Sequence, residues 1–237
     1  MSDFLERLAA TQAILERIAD DFEPAVFASS LAAEDMVLTD LILSKKLNIT
    51  IFSLETGRLH AETLGMLDKV KETYGTEIKL FKPDAAAVEN YVSEHGKNAF
   101  YDSVEMRKEC CRIRKVEPLK RALVGNKAWV TGQRRAQSAT RTELAIQEDD
   151  ATHGLQKFNP LADWSEDDVW HYLRSNNVPY NPLHDKGYPS IGCEPCTRAI
   201  QPGEDVRAGR WWWENPDSKE CGLHVVDGKL IRIKQAV

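Results

Sequence analysis

The sequence predicts an α/β fold: a parallel twisted sheet with helices on both faces, followed by a C-terminal tail. Three observations point there. Short β-branched or aromatic runs alternate with longer helical patterns. Polar loops follow three of the predicted strands. From residue 163 the pattern changes, and after one more helix comes a segment rich in Pro, Gly and Tyr. A β-α-β-α order is the pattern of a parallel sheet covered on both sides.

The elements follow in order. MSDFLERLAATQAILERIAD reads as an amphipathic helix of mixed charge, with no apolar signal core and no small-residue cleavage site. Residues 25–29 (AVFAS) form a strand and 34–45 the helix after it. A second strand spans 48–54 (NITIFSL), and a helix follows over 58–74, with Leu59, Leu64, Leu67 and Val70 at helical spacing. A third strand is expected at 77–81, a helix at 85–94 and another over 104–116. Residues 127–131 (KAWVT) give a fourth strand and 156–160 a fifth. The last helix, 164–173, has Ser165 as N-cap and Asp168 at its third position. VPYNPLHDKGYPSIGCEPC then reads as an ordered loop. The expected division is an α/β domain over 1–200 and a tail over 201–237 that packs on it or closes over it.

A chain of 237 residues with 42% hydrophobic residues buries one large core. Its net charge of −6 argues against broad nucleic-acid affinity. No stretch approaches the roughly 18 apolar residues that span a membrane, so a cytoplasmic protein with reduced thiols is expected. The charge has a local exception. Between positions 107 and 141 stand eleven Lys or Arg residues against two acids, Glu109 and Glu117. A basic middle in an acidic chain suits a small, highly charged anion, although a solvated basic face would read alike.

In open parallel sheets ligands bind beyond the C-terminal strand ends. Here those positions hold Ser29 and Ser30 after the first strand, Gly57 and Arg58 after the second, and Arg134, Arg135 and Arg141 after the fourth. Serine hydroxyls, loop N–H groups and a helix N-terminus offer donors to an anion. The loop is not a Walker loop, whose G-K-[ST] ending is absent. Arginine forks match phosphate and sulfate oxygens in pairs, and Gln133, Gln137, Ser138 and Thr140 add donors between them.

The five cysteines are an adjacent pair, Cys110 and Cys111, a two-spaced pair, Cys193 and Cys196, and a singleton, Cys221. Four thiolates are the usual complement of an iron–sulfur cluster or a zinc ion. Adjacent helical residues point about 100° apart, which suits neighbouring corners of a cubane better than one tetrahedral ion. Arg114 and Lys115 fall four residues after Cys110 and Cys111, so both cations lean onto the pair. Cys221 remains free to react. His224 lies three residues on, and a nearby imidazolium favours the thiolate. Arg207 and Arg210 flank the same tail beside Trp211, Trp212 and Trp213.

Together the motifs SSLAAED, LETGR, KECC-x-x-x-K, GQRRAQSATR, IGCEPCTR, RAGRWWW and KECGLH resemble the assimilatory adenylyl-sulfate (APS) reductases, the cluster-bearing branch of the APS/PAPS reductase family. They run from residue 29 to 224, nearly the whole chain; Ala32 stands where relatives often carry glycine. The resemblance implies an adenine nucleotide α-hydrolase-like sheet and a [4Fe–4S] cluster on Cys110, Cys111, Cys193 and Cys196. It implies that Cys221 attacks the sulfur of APS, AMP leaves, and thioredoxin or a similar dithiol releases sulfite from the S-sulfocysteine. Lys115, Arg207, Arg210 and the arginines of the 134–141 loop would then neutralise sulfate and phosphate, with Ser29, Ser30, Gly57 and Arg58 at the nucleotide and His224 beside the nucleophile. Such an enzyme serves sulfate assimilation for cysteine biosynthesis, and homo-oligomers are common in the family.

Three alternatives remain open at this stage. A PAPS reductase uses the 3′-phosphorylated substrate, but members of that type usually lack the cluster cysteines. An ATP-consuming thiolase or adenylyltransferase component resembles S-G-G-x-D-S more closely than SSLAAED. An iron–sulfur sensor has no need of the arginine loop or of a lone cysteine outside the cluster.

Overall fold

The mixed-charge N-terminal segment forms helix α1, Ser2–Asp21, whose Leu15 and Ile18 are fully buried. The computed structural model describes residues 2–137 and 143–215. Strand β1, Ala25–Ala28, leads into α2, Ala33–Ser44; β2, Ile49–Leu54, leads into α3, Ala61–Tyr74, which stops at Gly75 in the left-handed region. Then come β3, Lys79–Phe81, α4, Ala85–His95, α5, Val104–Cys111, and α6, Glu117–Leu123. Strands β4, Ala128–Val130, β5, Gln147–Asp150, and β6, Leu155–Phe158, precede α7, Glu166–Ser175. Side-chain caps fix several starts: Asp84 accepts from Ala87 N–H, Ser103 from Met106 N–H, and Ser165 forms a full capping box with Asp168.

The strands form one six-stranded sheet in the order β3-β2-β1-β4-β6-β5. Every neighbouring pair is parallel except β5 with β6. Because successive strand side chains point to opposite faces, two cores form. Phe27, Ile51, Val130 and Phe158 pack with residues of α1, α2, α3 and α7, whereas Val26, Phe52 and Trp129 pack with Leu119, Ala122 and Leu123 of α6. From β1 the chain builds outward through β2 and β3 on one side and through β4 and β6 on the other. The boundary between β1 and β4 is therefore a topological switch point, where the loops above the sheet diverge and leave a crevice.

Two expectations need correction. Strand β5 has the sequence QEDD and no apolar period; it is an edge strand paired only with β6, with Glu148 bonded to Lys157 at 2.7 Å. The uniform helix expected over 104–116 is interrupted: Arg112–Val116 is wound as a π-helix between α5 and α6, and Glu117 N–H reaches back to Arg112 C=O. Pro118 has no N–H to give the Arg114 carbonyl, which removes one α-helical bond where the winding widens. Such segments recur at functional sites, and this one directly follows Cys110 and Cys111.

Candidate active site

A cavity of about 420 Å³ opens at the switch point. The loops after β1, β2 and β4 and the α6 side of the sheet line it, and segment 206–211 reaches into it. The described part of the tail is thus built into the site. Arg198 N–H bonds Gly209 C=O, Thr197 bridges Arg210, and Trp211 N–H bonds Cys196 C=O. Arg107, fully buried on α5, pairs with Glu214 at 2.7 Å and lies over the Trp211 ring.

The serine loop is held from inside. Ser29 N–H continues the sheet onto Phe52 C=O, and its Oγ accepts from Leu31 N–H. Leu31, with φ 63°, adopts the left-handed conformation that a β-carbon disfavours. Asp35 Oδ2 accepts from both Ser30 N–H at 2.6 Å and Ser30 Oγ–H at 2.5 Å. Burial raises the Asp35 carboxyl to about 6, opposed by those two bonds and by the Gly132 backbone. A β-carbon on Gly132 would stand 2.0 Å from Asp35 Oδ1. The loops after β1 and β4 are therefore locked together through one carboxylate.

The predicted arginines divide. Arg210 lines the cavity and is buried, its guanidinium over Trp211 and bonded to Ile191 C=O, while its Nε has no hydrogen-bond partner. Arg207 and Lys115 also line it. Arg134 lines it too, but its guanidinium is committed to Glu34 at 2.7 Å and to Trp164 C=O. Arg135 turns to Leu144 C=O and Asp163. Arg58 turns to Lys97 C=O and Asn98 and sits over Phe100. Gly57, with φ 71°, lies close under the Arg114 guanidinium. Arg141, Cys221 and His224 lie outside the described residues, as do Ser138 and Thr140.

The four described cysteines are free thiols, three buried and Cys110 half-buried. Cys193 and Cys196 pack with Phe100 and Trp211, and Cys110 packs against them. The loop after β2 lies between Cys193 and Arg114: Thr56 Oγ1 stands 3.3 Å from Cys193 Sγ, Thr56 C=O accepts from Arg114 at 2.7 Å, and the Arg114 charge acts on Cys110. Burial raises the Cys110 thiol, with Arg114 opposing. Burial and then Cys193 push Cys196 up to about 12, while Lys115 and Arg210 pull it down. Two cavity cations thus also face the thiols. Among the described residues no three His, Cys, Asp or Glu groups are placed to hold a single metal ion. A cubane spreads its thiolates over separate corners and does not need that closeness. Three converging thiols, Cys110, Cys193 and Cys196, with Cys111 buried next in sequence and with the unpartnered, buried Arg210 Nε and Trp211 Nε1 among the described residues, are donors of the kind an anionic cluster takes.

Sequence reading named no role for Asp35, Thr56 or Gly132. Their signal is tertiary: each acts on a partner brought near only by the sheet.

Residues 24–199 match the family described as phosphoadenosine phosphosulfate reductase domain. The adenosine 5′-phosphosulfate reductase of Burkholderia cepacia is 65% identical over 221 residues, which cover 93% of this chain and 87% of that protein. The protein of the same name from Allochromatium vinosum is 59% identical, over 92% and 85%. Among solved structures, phosphoadenylyl-sulfate (PAPS) reductase from Candida auris superposes with a TM-score of 0.68 at 27% identity, over 81% of this chain and 90% of that one. FMN adenylyltransferase from Candida glabrata shares the fold, with a TM-score of 0.58 at 17% identity over 92% and 76%.

Proposed function

The chain belongs to the phosphoadenosine phosphosulfate reductase family, and from that premise we propose that it reduces adenosine 5′-phosphosulfate to sulfite and AMP in sulfate assimilation, with a thioredoxin-like dithiol as reductant. The observation that carries the reading is the sharing of Lys115 and Arg210 between a nucleotide-sized cavity at the switch point and the packed thiols of Cys110, Cys193 and Cys196.

In the proposed first step the Cys221 thiolate attacks the sulfonate sulfur. A sulfur–sulfur bond forms, the bond from sulfur to the phosphate oxygen breaks, and AMP leaves with that electron pair. A thiolate of the dithiol then attacks Cys221, sulfite departs with the sulfur–sulfur electrons, and the second thiol closes the donor's disulfide. The thiols carry both electrons. Arg210, Lys115 and Arg207 would neutralise the sulfonate and phosphate oxygens, and the serine loop would form the adjoining wall of the site. Cys110, Cys111, Cys193 and Cys196 would hold a [4Fe–4S] cluster, which when bound supplies local charge beside the Lys115 ammonium. No helix is long and apolar enough to cross a membrane among the described residues, and a cytoplasmic place accords with free thiols.

The test is dithiol-dependent sulfite release by anaerobically purified protein, with APS and PAPS compared at equal low concentration. Preference for APS is expected; preference for PAPS would overturn the substrate assignment and keep the chemistry. Lys115→Ala is expected to lower turnover and substrate affinity at least tenfold, the worth of about one charge-assisted hydrogen bond, with the visible absorbance retained. Full activity together with full affinity in that variant would end the role given to Lys115.

A further inference from the structure

Helix α2 begins at the serine loop without a side-chain cap from its own N-cap, Ala32. The first N–H groups of a helix have no partner within it. Here Ala33 N–H finds one 151 residues away: His184 Nε2 accepts it at 3.1 Å. His184 begins a short 3₁₀ turn, His184–Lys186, with its backbone N–H tied to Asn181 C=O, and its ring meets Trp170 edge-on at 5.3 Å. His184, Trp170, Ala32 and Ala33 all line the cavity.

We propose that His184 is a positioning residue that caps α2 from across the fold and so holds the serine loop in its ligand-binding form. The proposal rests on the reading of that loop as the substrate's anion site. Accepting at Nε2 fixes the tautomer: the ring proton sits on Nδ1. Nδ1 is buried, faces the Tyr188 backbone and makes no well-formed hydrogen bond. An imidazolium donates from both nitrogens, so protonation would set two N–H groups against each other at Ala33. Burial lowers the tendency of His184 to charge, against Glu34 on α2, Glu166 on α7 and Asp185 on its own turn, which favour the charge. The ring is therefore neutral and accepting above its lowered pKa, and the cap is lost as pH falls through it.

The experiment compares wild type, His184→Gln, whose amide oxygen supplies an acceptor, and His184→Phe, which keeps the shape without one. The readouts are KM and kcat for APS and the affinity for AMP by calorimetry across pH 5–8, with circular dichroism to confirm equal folding. His184→Phe is expected to raise KM and weaken AMP about five- to tenfold with kcat within twofold, the loss of about one hydrogen bond. His184→Gln should stay within twofold of wild type near pH 8 and lose the acid weakening due to the imidazole. Asp35, on the same helix, keeps its titration in every variant, so the difference between wild type and His184→Gln reports the ring alone. Unchanged KM and AMP affinity in His184→Phe, or an unchanged acid limb in His184→Gln, would overturn the proposal. If no variant releases sulfite yet AMP affinity follows this pattern, the substrate reading fails and the role of His184 stands.

Discussion

Serine at position 221 is expected to abolish sulfite release while leaving nucleotide binding and the cluster's visible absorbance unchanged. The argument is chemical. The attacking group must be an anion near neutral pH, and a thiol reaches that state where an alcohol does not. Cys221 is also the one cysteine outside the described thiol group, so its loss removes no ligand of the proposed cluster. Glu214, paired with the buried Arg107, precedes Cys221 by seven residues in sequence. Incubation with APS in the absence of dithiol should leave a sulfonate on wild type, visible as an intact-mass increase, and none on Cys221→Ser. Turnover in the serine variant would exclude the covalent intermediate. Indifference of every measurable property, with cluster absorbance present, would instead favour the sensor.

The sheet and its crevice were legible because each parallel strand carries its own apolar signature and each is followed by a polar loop. Convergence of the loops after residues 28, 54 and 130 follows from that order alone. The packing of Cys110 with Cys193 and Cys196 agrees with the spacing of the cysteine pairs. What sequence could not show is which charges satisfy one another. Arg134 and Glu34 are 100 residues apart, and their pairing at 2.7 Å commits a guanidinium that the local pattern assigned to the substrate. Arg58 and Arg135 are likewise spent on neighbouring carbonyls and side chains. The QEDD strand escaped notice because an edge strand needs only ladder bonds and no buried face. The π-wound segment escaped because its cause, a proline near the start of the next helix, reads in sequence as an ordinary helix beginning.

Alanine at position 132 is expected to destabilise the protein by about 3 kcal/mol and to abolish measurable AMP binding. Gly132 has no unusual φ, so the reason is space and not backbone freedom. Its missing β-carbon would lie 2.0 Å from Asp35 Oδ1 and 3.4 Å from Asp35 N. The carboxylate cannot simply swing away, because its other oxygen holds both donors of Ser30. Forcing an extra carbon into a packed site costs about 1–3 kcal/mol, and leaving a buried polar group unpaired adds about 1–3 kcal/mol. For a chain of this length a loss near 3 kcal/mol lowers Tm by about 6–12 °C. The double variant separates the causes. Asp35→Ala forfeits the clamp but clears the space, so adding Gly132→Ala to it should cost almost nothing more, a coupling that a double-mutant cycle reads directly. The pH dependence gives an independent check. With its folded pKa raised to about 6, Asp35 favours folding most fully below its ordinary range near 3.8, and that contribution disappears as pH rises through about 6. The stability difference between wild type and Asp35→Ala should therefore change across pH 4 to 6 and level off above it. Additive losses in the double variant would show that Gly132 and Asp35 act apart, and the two loops would need another link.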